Sequence, residues 1–141
     1  MSNVFYPREG VLKSLYELTE SITPNRFITT RPKAAESMSE FLLIRLPQSI
    51  TTPGDTYQLT TGQIHIFARD VQGTLENTAK LDDMLNAVCG LFPIRNTLYL
   101  ATRPILLSAG SDGTGFHALI IQFNIRIHKD FDIHPTEKLT L

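Results

Sequence analysis

The sequence predicts an α+β domain: an antiparallel β-sheet of about four strands with two helices packed on one face, in the order α-β-β-α-β-β. Three observations predict it. Apolar residues recur at three- and four-residue spacing in two segments, they alternate with polar residues in two others, and Pro- or Gly-containing turns separate the segments. A chain of 141 residues suits one core, with residues 1–128 as the domain and 129–141 as a polar C-terminal tail.

The first helix spans Glu9 to Ile22, where Leu12, Leu15, Leu18, Thr19 and Ile22 share a face and Lys13, Glu17 and Glu20 take the other. Pro24 stops it, because proline lacks the N–H and disfavours helical geometry in the residue before it. Asn25 to Glu40 reads as a short extended piece around Phe27 and Ile28 followed by a loop or short helix. Phe41 to Leu46 is an apolar strand ended by Pro47, and Pro53-Gly54 turns the chain into a strand running from about Thr56 to Arg69. There Ile64, Ile66 and Ala68 alternate with Gln63, His65, Phe67 and Arg69, and Gly62 suggests a bulge or bend.

Thr74 is a good N-cap for the second helix, whose stripe is Leu75, Thr78, Leu81, Met84, Leu85 and Val88. Gly90 and Pro93 mark its exit. The last third holds two strands. Asn96 to Ser108 is interrupted by Pro104, which makes it an edge strand or a broken one. Phe116 to His128 alternates without a fault, with Leu119, Ile121, Phe123, Ile125 and Ile127 on one face and Ile120, Gln122, Asn124, Arg126 and His128 on the other.

Composition narrows the function. Thirteen basic residues against fourteen acidic ones argue against a strongly basic nucleic-acid binder. One cysteine excludes an internal disulfide and a multi-cysteine zinc site. No run approaches the roughly 20 apolar residues of a membrane span, and the N-terminus lacks a signal-like apolar stretch, so the expectation is a soluble intracellular or assembly-bound domain with no membrane partner.

Catalytic chemistry finds little support. His65, His117, His128 and His134 lack local ligand spacing; His65 and His117 would have to meet across the sheet to hold a metal, and a satisfied or exposed histidine is the simpler reading. Cys89 sits at a helix C-terminus, the wrong electrostatic end for a thiolate, and reads as a small core hydrophobe. Gly110 to Gly115 superficially resembles a phosphate loop but lacks the Lys-Ser/Thr ending and joins two strands. Asp82 and Asp83 are adjacent on a helix and about 100° apart, which is no paired-carboxylate site. The least implausible enzyme cluster is His65, His117 and Asp112; no cofactor or metal is expected.

More suggestive is the outer sheet face. Phe67 among Gln63, His65 and Arg69, and Ile120 among Gln122, Asn124 and Arg126, give a mixed surface typical of an interface. Phe67, Arg69, Ile120 and Arg126 are the candidate interface residues.

The order helix, hairpin, helix, hairpin resembles the tail terminator or tail-completion proteins of long-tailed bacteriophages. The matching stretches are Val11–Ile22, Phe41–Leu46, Thr56–Arg69, Leu75–Leu91 with its Leu-Phe-Pro end, and Gly115–His128. The likeness lies in element order and pattern, without a shared motif. It implies a structural virion protein, not an enzyme, assembled in the host cytoplasm into a homohexameric ring that caps the tail tube and joins it to the head connector. Genome DNA would pass through the lumen without specific binding, with Glu76, Asp82 and Asp83 on a non-gripping wall. Another tail tube, neck or adaptor subunit is the alternative reading.

Overall fold

A computed structural model describes residues 7–53, 57–72 and 74–128. Helix α1 (Arg8–Leu18) buries Val11, Leu12 and Leu15. It ends four residues before Ile22, because the Thr19 hydroxyl donates to the carbonyls of Leu15 and Tyr16 at 2.9 and 3.0 Å and competes with continued helix. Ile22 still packs against the core from the turn that follows.

Among the described residues the sheet has six strands rather than four, in the order β1-β2-β3-β6-β5-β4. The long members are β2 (Glu40–Arg45), β3 (Tyr57–Arg69), β5 (Tyr99–Ser111) and β6 (Phe116–His128). The two additional strands, β1 (Arg26–Ile28) and β4 (Ile94–Arg95), are three and two residues long. Strands that short carry too few residues to display alternation. β1 lies parallel to β2, and all other pairs are antiparallel.

β3 and β6 are paired from Tyr57 opposite His128 to Arg69 opposite Phe116, with no break. Gly62 therefore makes no bulge. It faces Phe123, and a methyl in place of its hydrogen would lie 2.5 Å from that ring. The irregularities fall instead in β5, where one extra residue is inserted between Thr102 and Ile105 and another between Leu106 and Ser108. Arg103, just before Pro104, takes a φ of 62°. Proline's missing N–H and fixed ring account for a break at this point.

Paired residues share a face, so one face of the sheet carries Leu42, Ile44, Ile64, Ile66, Ile121, Phe123 and Ile125, and both helices pack on it. Helix α2 (Thr78–Cys89) contributes Leu81, Met84 and Val88. Its N-cap is Asn77, whose side-chain oxygen accepts from the Lys80 amide at 3.3 Å, and not Thr74. Val71 and Leu75 instead form an antiparallel bridge, which leaves Leu75 55% exposed rather than in the helical stripe. The Tyr99 and Ser14 hydroxyls share a 2.8 Å hydrogen bond that ties α1 to the root of β5.

The opposite face carries a second, smaller core of Ala35, Phe41, Leu43, Phe67 and Phe116. Its cover is the connection from β1 to β2, which includes a short 3-10 helix at Lys33–Ser37. No described helix is long and apolar enough to cross a membrane.

Candidate assembly surfaces

The connection between β1 and β2 is held down by two arginines. Arg31 pairs with Asp112 at 2.8 Å, donates to the Thr114 hydroxyl at 3.2 Å, and lies 5.0 to 5.2 Å from the rings of Phe41, Phe67 and Phe116. Arg69 donates to the carbonyls of Met38 and Glu36 and lies 4.6 Å from the Phe116 ring. Phe41 and Phe67 stack at 4.3 Å, and Phe116 meets Phe41 edge-on at 5.3 Å.

Phe67 is thus buried by its own chain, which corrects its expected place on an exposed mixed surface. The reason is non-local: nothing within β3 announces that residues 31–38 fold over it. Arg69 is exposed but occupied with that cover. Ile120 is half-buried and lines a cavity of about 330 Å³ with His65, Phe67, Ala118 and residues 108–112. Arg126 is exposed at the far end of β6, with its guanidinium 4.5 Å from the Tyr57 ring. Phe67, Arg69 and Ile120 therefore share one neighbourhood at the covered end of the outer face, and Arg126 stands apart from them.

Glu76, Asp82 and Asp83 are all exposed. Glu76 precedes α2, because the helix starts at Thr78, and only the two aspartates lie on it.

The histidines do not converge. His65 pairs with Ile120 and His117 with Ala68, so His65 points to the outer face and His117 to the helix-covered one. His117 is engaged with Asp70, Nδ1 to Oδ1 at 2.5 Å. His65 shares a 2.9 Å hydrogen bond with Gln63, whose amide donates to Gln122 at 2.9 Å. Burial, reinforced by the Arg45 charge, pushes the His65 pKa below its ordinary value. Asp112 is committed to Arg31, so the cluster His65, His117 and Asp112 is not assembled. His134 lies outside the described residues. Cys89 is half-buried at the end of α2, and burial pushes its thiol pKa up, away from thiolate chemistry.

The turn after β5 closes on itself. The Asp112 carboxylate accepts from the Thr114 and Phe116 amides at 2.8 and 3.2 Å, while Gly113 and Gly115 adopt φ of 80° and 96°. Its amides thus point at its own aspartate rather than at a phosphate. Among the described residues no three His, Cys, Asp or Glu side chains gather as metal ligands.

Pro104 marks β5 as an edge or broken strand, and what the sequence hides is how much of its outer edge stays open and apolar. β4 pairs only with Leu100 and Ala101, so beyond Thr102 that edge has no partner strand among the described residues. There Ile105, Leu106 and Leu107 are 55%, 51% and 50% exposed. Three consecutive apolar residues on a strand alternate in direction, so one covered face cannot bury all of them. No protein-family model matches the chain, and no curated protein is significantly similar to it in sequence.

Proposed function

We propose that this protein is a structural virion subunit, a tail terminator or tail-completion protein whose copies close into a hexameric ring at the head-proximal end of a bacteriophage tail. In that reading it joins the tail tube to the head connector, and the genome passes through the ring without being gripped. The observation that carries it is the open β5 edge with Ile105, Leu106 and Leu107 exposed in succession. An apolar edge of this kind is a template for pairing with another chain, and monomeric proteins usually cover, charge or shorten theirs. The element order, helix, hairpin, helix, hairpin, supports the same family.

A role in assembly rather than catalysis also agrees with the state of the polar groups. Asp112, Asp70 and His117 are used in internal pairs that hold the fold together. A sheet offers a repeatable surface, and a contact between unlike patches closes into a ring when its rotation divides a full turn.

Sedimentation velocity and native mass spectrometry test the proposal. The wild type is expected as a six-copy species, and Leu106→Asp as a folded monomer with unchanged far-UV circular dichroism. A wild type that stays monomeric at all concentrations overturns it, as does a Leu106→Asp variant with unaltered mass.

A further inference from the structure

Two patches on opposite sides of the molecule differ in charge. On the half of the sheet's outer face that residues 29–39 leave uncovered, register places Arg45, Arg95 and Arg126 together with Leu59 and Leu100. All three arginines are exposed, Leu59 is 39% exposed, and none of the three forms an ion pair with a described residue. No described strand residue pointing to this face is an Asp or Glu. Arg95 and Arg126 both flank Leu100 and are about 10 Å apart, two strand spacings.

On the helix side, α2 has the opposite character. The exposed stripe of α2 presents Asp82 and Asp83, also without ion pairs to described residues, and it is preceded by exposed Glu76 and by Leu75 at 55% exposure. The outer-face patch and the α2 stripe thus each combine charge of one sign, unpaired among the described residues, with exposed leucine, whereas α1 carries both signs in Arg8, Glu9, Lys13 and Glu17.

We propose that the arginine-bearing half of the outer sheet face docks a second copy of this chain through that copy's α2 stripe, Arg95 and Arg126 meeting Asp82 and Asp83. The match in charge and in apolar content selects this occupant over an unrelated protein. The two patches lie on opposite sides of a two-layer molecule, so the contact is heterologous and repeats front to back, as a ring needs. It rests on the self-assembling reading above and adds the orientation of neighbours to it. It also sets Asp82 and Asp83 against a neighbour instead of along a lumen wall.

Charge exchange tests it on the full chain. Arg95→Glu/Arg126→Glu places acid against acid, and Asp82→Lys/Asp83→Lys places base against base. Each variant alone is expected to associate about tenfold or more weakly by sedimentation velocity. An equimolar mixture of the two restores every contact and is expected to regain wild-type mass with alternating copies, seen as 1:1 stoichiometry in native mass spectrometry. Circular dichroism and the thermal midpoint check that both variants fold.

A wild type that assembles and loses assembly through Leu106→Asp, yet is indifferent to both charge reversals or is not rescued by mixing, overturns this contact while leaving the assembly reading standing. A wild type that never assembles overturns both. If Arg95→Glu/Arg126→Glu keeps its mass but no longer retains a duplex DNA oligonucleotide that the wild type binds, the face serves a polyanion and the contact is likewise overturned.

Discussion

Arg31 and Asp112, 81 positions apart, meet in a 2.8 Å ion pair that fastens the β1–β2 connection to the turn between β5 and β6. The guanidinium caps three phenylalanine rings, so one side chain supplies both the polar tie and the lid of the outer core. Burial alone would raise the Asp112 pKa. The Thr114 amide, Arg31, the Thr114 hydroxyl and the Phe116 amide outweigh it and hold the carboxyl below its ordinary value.

Arg31→Ala is expected to destabilise the protein by about 1–3 kcal/mol in urea unfolding, through a half-buried carboxylate that loses its cationic partner and through loss of the cation–π contacts. Because the folded-state pKa of Asp112 is depressed, its contribution is complete above about pH 4, the unfolded value, and is lost as pH falls through the folded one. Asp112→Asn should therefore flatten the acid limb of the stability–pH curve. An acid limb identical to wild type would remove Asp112 from this role.

His65 titrates in a different window. Its folded pKa is lowered by burial first and by Arg45 second, so the unfolded chain binds the proton more readily. Stability is full above about pH 6.5, the unfolded value, and declines as pH drops toward the folded one. His65→Gln, which can keep a hydrogen bond to Gln63, is expected to abolish that slope with little change at pH 8. Urea midpoints at pH 8 and pH 5.5 measure both.

Gly62→Ala is expected to cost about 1–3 kcal/mol, because the new methyl drives into the Phe123 ring and the core behind it is packed by Phe92 at 4.8 Å. Phe123→Leu should relieve the clash, giving a coupling energy in the double-mutant cycle that two independent losses would not show.

Asn77→Ala should lower stability by about 1 kcal/mol through loss of the α2 cap, whereas Thr74→Ala should change it little. Paired thermal melts of the two variants distinguish the capping residues.

That contrast shows what local sequence carries and what it omits. Both Thr74 and Asn77 are acceptable caps by type, and the choice is made by the Val71–Leu75 bridge, which needs Thr74 and Leu75 outside the helix. The alternation of β6 was fully legible, because Leu119 to Ile127 face a single continuous core. Antiparallel pairing of β3 with β6 also preserves the face of every residue, so Ile64 and Ile66 fall where their period places them. The burial of Phe67 was not legible, since its cover comes from Ala35 and Arg31, about thirty positions away. Nor was the exposure of Ile105 to Leu107, which depends on β4 stopping after Arg95.

The two extra residues in β5 bear on what that open edge accepts. A regular strand laid along it would fall out of step at Arg103-Pro104 and again near Leu107, so its amides and carbonyls would miss their partners within a few residues. The irregular edge thereby discriminates. It disfavours indiscriminate edge-to-edge stacking, and only a segment with matching irregularities could pair along its length. An apolar strip that would otherwise be a nucleus for aggregation becomes a keyed one.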